Sequence, residues 1–323
     1  MKARGLFFSG GCIVAALLLS ACGGSDEEAT PGAAENGSAK SAQQQTAATP
    51  SKSSRKCPAK VTTGVRPEGA PVDDIVGIRP GMSFDDVSWV LECRDDVPII
   101  NVADKWTIKQ NYDIPTRQMI RASDGALCSG QDIARDMGSM GSSKTCDDGG
   151  YKFKPVKGIS QQFIVVFNGM PGEEKAGAVW RRNSFPEGEN PTIDGLIQSL
   201  SGKYGAPHIT EKDRRNVTNL VWIFDLLGRP LSKSSGDWGN CVNISINASF
   251  AQAQRWSAGC GLTIKAAIAP VYDNELLARE MNMGVMHQKT FYEEGEAFER
   301  ALQAAYEARK QEEAAGAASA PDL

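Results

Sequence analysis

Histidine is almost missing from this 323-residue chain: His208 and His287 are the only two. General acid–base sites and metal centres lean heavily on imidazole, so two widely separated histidines leave little to build either from. No Gly-x-Ser-x-Gly elbow, phosphate loop or Gly-x-Gly-x-x-Gly fingerprint occurs, and no Cys-x-x-Cys pair that a zinc site would use. An excess of basic charge is also lacking. Lys and Arg number 35 against 39 Asp and Glu, for a formal net charge of −4, which argues against nucleic acid as a partner. Arg181-Arg182 and Lys212-Asp213-Arg214-Arg215 are short clusters that read as solvated turns. The N-terminal apolar run is broken by Gly10, Gly11 and Cys12. It falls short of the roughly 20 residues a spanning helix needs.

What the N-terminus does hold is a secretory pattern. Lys2 and Arg4 precede an apolar stretch from Ile13 to Leu19, and small residues lead to a cut site. Leu19-Ser20-Ala21-Cys22 resembles a bacterial lipoprotein lipobox. The resemblance implies that Cys22 becomes the first mature residue, diacylated on sulfur and acylated on its new amino group. Several acyl chains hold a protein on a bilayer where one does not. Gly23 and Gly24 follow with no Asp directly after Cys22, so the resemblance implies outer-membrane attachment with the folded domain in the periplasm. Loss of residues 1–21 removes Lys2 and Arg4 and takes the formal charge from −4 to −6.

Five segments are expected: a signal peptide (1–21), a lipidated N-terminus and disordered tether (22–56), an α+β unit (57–157), a second α+β unit (158–289), and a C-terminal helix with a frayed tail (290–323). The tether has no large apolar side chain with which to offset ordering entropy. As a flexible coil it would reach roughly 30 Å.

Beyond Cys12 and Cys22, six cysteines remain: Cys57, Cys93, Cys128, Cys146, Cys241 and Cys260. An even number in an oxidising compartment reads as three disulfides. Pairing of neighbours gives Cys57–Cys93, Cys128–Cys146 and Cys241–Cys260. The last pair meets a difficulty. Val242, Ile244, Ile246, Ala248 and Phe250 alternate with polar residues, as do Leu262, Ile264, Ala266 and Ile268, which predicts two antiparallel strands. In a simple hairpin Cys241 and Cys260 would sit at opposite ends, about 30 Å apart. A disulfide wants Cα atoms about 4.4–6.8 Å apart. Either residues 251–259 fold back along the strand or these cysteines have other partners.

Two helices are legible. Ser83 can cap one, with Asp86 three places on and Phe84, Val87, Val90 and Leu91 on one face. Asn190 can cap the other, with Pro191 at its first position and a stripe of Ile193, Leu196, Ile197, Leu200 and Tyr204 before the stop at Gly205 and Pro207. Phe163–Phe167, Ala178–Trp180 and Leu220–Phe224 read as buried strands. From Thr290 the chain reads as a helix with Phe291, Phe298, Leu302, Ala305 and Tyr306 as an apolar seam and Glu296–Arg300 as a supporting pair. The predicted class is α+β: antiparallel sheets with short helices packed on one face, disulfide-bonded, plus a C-terminal helix.

Ile78 to Val87, with its Gly81-Met82-Ser83 helix start, resembles the signature of the small SmpA/OmlA-type outer-membrane lipoproteins. The resemblance implies a β-lactamase-inhibitor-protein-like fold and support of barrel assembly in the outer membrane. Leu91-Glu92-Cys93 departs from the family's continuation, and no functional residue of the family carries over.

For chemistry, Asp85-Asp86, Asp95-Asp96, Asp147-Asp148 and Glu173-Glu174 read as solvated caps and turns, and His208 as a loop residue. Met281, Met283, Met286 and His287 form one cluster with metal-ligand types suited to Cu(I). If helical, Met283, Met286 and His287 share a face while Met281 does not. Core packing is the reading preferred. The expected function is therefore a non-enzymatic, lipid-anchored envelope protein that binds another envelope protein and needs no cofactor. The alternatives are a copper-handling lipoprotein and an envelope hydrolase with an unrecognised site.

Overall fold

A computed structural model of the chain describes residues 56–57, 68–97, 99–103, 108, 111–124, 160–244 and 257–317. The signal segment and Cys22, all of 23–56 but Lys56, and Cys128 and Cys146 with their proposed bond lie outside the described residues.

Eight antiparallel strands make one sheet: β1 (Ile99–Ala103), β2 (Met119–Ser123), β3 (Gln161–Asn168), β4 (Lys175–Ser184), β5 (Ile209–Lys212), β6 (Thr218–Ile223), β7 (Leu262–Val271) and β8 (Asn274–His287). Their order across the sheet is β1-β2-β3-β4-β8-β7-β6-β5. The sheet crosses the boundary expected at 157/158, because β2 pairs with β3 from Met119↔Val166 to Ser123↔Gln162. Four helices are described: α1 (Phe84–Glu92), α2 (Ile193–Tyr204), α3 (Trp238–Val242) and α4 (Gln288–Ala315).

The α+β class is what the chain adopts, and the reasons are local. Ser83 Oγ accepts from the Asp86 amide at 3.2 Å and donates to the Asp86 carboxylate at 2.7 Å, so the cap closes in both directions. Phe84, Val87, Val90 and Leu91 are buried as their spacing predicts. For α2 the cap is Thr192, whose Oγ1 accepts from Gly195 N at 3.1 Å, not Asn190. The Asn190 amide reaches instead to the carbonyl of Ala278 at 3.0 Å, tying the helix entry to β8. Gly205 ends α2 at φ 83°, where a side chain would be strained.

Strand alternation sends side chains to two cores. On one face α1 and α2 cover Phe163, Val165, Val179, Trp222, Ile264, Met283 and Val285. On the other, Phe291 at the start of α4 packs with Ile164, Val166, Trp180 and Met286. Gly177 is the extra residue where the β3–β4 register shifts, and a Cβ there would lie 1.5 Å from the Phe291 ring. The absent side chain is what lets α4 lie on the sheet.

The strand expected over 242–250 is not what Val242 joins. Trp238–Val242 is the short helix α3, and 245–250 lie outside the described residues. This resolves the disulfide difficulty: with Cys241 in a helix beside the start of β7, the Cys241–Cys260 Cα atoms are 5.5 Å apart and bonded. Cys57–Cys93 is bonded as well, at 5.3 Å between Cα atoms. It ties the C-cap of α1 to the residues before the fold.

Candidate functional site

One cleft of about 200 Å³ opens where β4 begins and β8 ends, lined by Asp73, Arg79, His287, Thr290, Phe291 and Glu294 among others. Its first wall is a tight turn. Ile75 and Ile78 exchange both backbone hydrogen bonds at 2.9 Å, with Val76 and Gly77 at φ 48° and 91° between them. Positive φ at both central residues is the hairpin geometry that suits strand twist, although a β-branched valine adopts it at some strain. Asp74 accepts from Gly77 N at 3.0 Å and from Lys203 Nζ at 2.9 Å, so the turn is held from α2.

Asp73 therefore arrives 4 % exposed, and its Oδ2 accepts from Arg79 Nη2 at 2.8 Å. His287 Nε2 stands 3.4 Å from the same oxygen. The opposite wall is the first turns of α4, which supply Thr290, Phe291 and Glu294. Burial pushes the Glu294 carboxyl above its ordinary range, opposed by the Lys175 charge. Glu294 Oε2 is buried without a hydrogen-bond partner. A carboxylate–imidazole pair facing a carboxyl inclined to hold its proton can move protons. Thr290 is the one hydroxyl among the lining side chains. The volume falls below the roughly 300–1,000 Å³ of ordinary ligand pockets.

The methionine cluster is corrected by the same geometry. Residues 274–287 form a strand, not the start of a helix. Met281 and Met283 enter the core beneath α1 and α2, while Met286 enters the core on the opposite face. Met283 and Met286 cannot converge on one ion, and His287 lies four strand residues from Met283, about 13 Å along. No group of three His, Cys, Asp or Glu among the described residues is placed to hold a metal. No described helix is long and apolar enough to cross a membrane.

Other expectations divide. His208 is a loop residue that braces the neighbouring strand. Its Nδ1 accepts from Ile223 N at 3.0 Å, and burial lowers its pKa. Asp86 caps as expected, and residues 213–215 lie exposed in the β5–β6 turn, after Lys212 at the exposed end of β5. Glu174 is not solvated. It is 2 % exposed and takes both Nε and Nη2 of Arg117 at 2.9 and 2.7 Å. Asp96 is likewise engaged, by Arg94 and by Gln161 Nε2 at 2.6 Å. Arg181 and Arg182 are not a turn but consecutive residues of β4. Arg182 pairs with Glu280 across the sheet at 2.6 Å. Arg181 goes to the other face, against the Phe163 ring.

No family model matches this chain, and neither do any curated protein or solved structure.

Proposed function

We propose that the protein is a lipid-anchored module of the bacterial cell envelope, held in the outer membrane through Cys22, that binds another envelope protein on the periplasmic side without catalysing a reaction. The observation that carries this reading is the pair of bonds Cys57–Cys93 and Cys241–Cys260. Disulfides of this kind persist in oxidising compartments, which supports export. They complement the charged start, apolar middle and Leu19-Ser20-Ala21-Cys22 of the sequence. Residues between Cys22 and Cys57 then act as a spacer from the head groups.

Binding is favoured over catalysis by how the polar groups are engaged. Asp73 is tied to Arg79, and no serine or cysteine lines the cleft. Tyr272 and Leu276, at the β7–β8 turn, are 90 % and 73 % exposed. Large exposed side chains near a hairpin tip suit a contact surface.

Replacing Cys22 by Ser tests the anchor. The variant should leave the membrane fraction and keep its uncleaved size, and unchanged sedimentation and processing would overturn the placement. A photo-crosslinker at Leu276 should capture a recurring envelope protein in cells. The second reading, an envelope hydrolase, is favoured by Glu294 facing the Asp73–His287 pair. It requires that purified protein cleave peptidoglycan fragments and that His287→Asn abolish the cleavage.

A further inference from the structure

Burying a guanidinium without a carboxylate is costly, since arginine keeps its proton and the charge must be answered by something else. Arg181 is in this position. It is half-buried in β4, pointing to the same face as Val179 and Phe163, and no ion pair is formed by it among the described residues. One hydrogen bond is made, from Nη2 to Gln161 Oε1, and Nε is buried without a partner.

A second cation stands beside it. Arg94, just past the C-cap of α1, lies 5.1 Å from the centre of the Phe163 ring, and Arg181 lies 5.4 Å from the same centre. Arg94 Nε is also buried and unpartnered. A single carboxylate serves the pair: Asp96, bonded to Arg94 and to Gln161 Nε2. Asp124, at the same end of the sheet, accepts instead from the amides of Ser160 and Gln161 at 3.0 Å. Two guanidiniums against one carboxylate leave an excess positive charge in a half-dry site. The Phe163 ring offsets part of it, as cation–π contacts contribute about 0.5–2 kcal/mol. Burial first, then the Arg94 charge, draws the Arg181 pKa down, which is the direction an unanswered cation gives.

We propose that Arg181, with Arg94 beside it, is a binding site for one oxyanion, a carboxylate or a phosphate group. The planar fork of an arginine presents paired donors that match such a group. Arg181 has Nε and the Nη protons not given to Gln161 left for it, and the charge an oxyanion brings is the one the site lacks. Gln161 and Asp96 link the two arginines in one hydrogen-bonded chain and orient them. This site does not depend on where the protein is anchored.

The test uses the full-length protein in detergent, with inorganic phosphate and acetate as probes and chloride at matched ionic strength as the control. Phosphate or acetate should raise the unfolding temperature beyond chloride in a saturable way, because a ligand bound only to the folded state stabilises it. A larger rise with phosphate assigns a phosphate group, and a larger rise with acetate assigns a carboxylate. Arg181→Gln should abolish the rise and weaken phosphate or acetate binding about tenfold or more by calorimetry. In the absence of either anion it should unfold at a temperature no lower than the parent protein, since it removes a half-buried charge that forms no ion pair. Equal responses to all three salts would overturn the proposal, as would an Arg181→Gln variant that is destabilised yet responds like the parent. Should that variant fail to fold, calorimetry on the parent protein decides. Saturable heat from phosphate or acetate supports the site, and none refutes it.

Discussion

Arg117→Met strips a buried carboxylate of its partner, and the consequence can be worked out from the contacts. The Glu174 side chain is 1 % exposed and takes both arms of the Arg117 guanidinium, with a further hydrogen bond from Gly172 N at 2.9 Å. Breaking a buried ion pair by removing one member costs about 3–5 kcal/mol. Here Arg117 is 37 % exposed and also shared with Asp85 at 2.9 Å, so water screens part of the attraction. Methionine retains an apolar contact over the Phe84 ring, which the guanidinium now covers at 4.1 Å. A loss of about 2 kcal/mol is therefore expected in urea unfolding followed by tryptophan fluorescence. The pH dependence carries the sharper signature. Burial alone would raise the Glu174 carboxyl, but the hydrogen bonds and charge of Arg117 and the backbone amides hold it below its ordinary range. In the parent protein this group contributes stability above about pH 4.3, which is lost as the pH falls through its folded-state value. In the variant burial remains and its counterweight is gone, so the carboxyl rises and the same group favours the fold as the pH drops. Adding Glu174→Gln should recover most of the loss. A loss below about 0.5 kcal/mol, or an unchanged slope of stability with pH, would refute this account.

Gly177→Ala drives a methyl group into the Phe291 ring, and should lower stability by about 1–3 kcal/mol with early exposure of α4 to proteolysis. Normal stability in that variant would mean that α4 docks elsewhere. His208 is held neutral by burial, with its pKa lowered, so the folded state binds fewer protons there than the unfolded state does. Stability from this residue should be present above about pH 6.5 and fall away as the pH drops below it. His208→Asn, whose Oδ1 can take over the Ile223 amide, should flatten unfolding midpoints across that range.

Much of the fold was legible because helix ends and buried strands are local facts. Ser83 with Asp86, and Gly205 before Pro207, mark chain positions whose hydrogen-bonding needs are met within a few residues. The error over Asn190 is of the same local kind: Asn190 and Thr192 could both cap, and tertiary bonding to Ala278 drew Asn190 away. The strand β8 escaped because it carries no clean alternation. It runs between two cores, so methionines, a glycine and an alanine fill both its faces. Its neighbour β7 anchors it from Leu262↔His287 to Val271↔Asn274, in a hairpin closed by Tyr272 and Asp273.

Charged residues inside the strands were the harder part, and Arg181 is one of them. Arg181-Arg182 follows directly on the apolar run Ala176–Trp180, so a strand continuing through both must send one guanidinium to each face. That signal was present in the sequence. Taken with helices covering one face, it requires one of the two arginines to enter a layer with little water. Arg182 finds Glu280 on the neighbouring strand, because residues 182 and 280 lie one diagonal step apart where Arg182 pairs with Asn282. Arg181 faces Phe163 and forms no ion pair of its own, because Asp96, whose charge reaches it, is bonded to Arg94. The cleft differs. Asp73 and His287 stand 214 residues apart in the chain and meet only because the Ile75–Ile78 turn folds back beside the last residue of β8. Periodicity places residues on faces. It does not bring the ends of a long strand to a turn two hundred residues earlier.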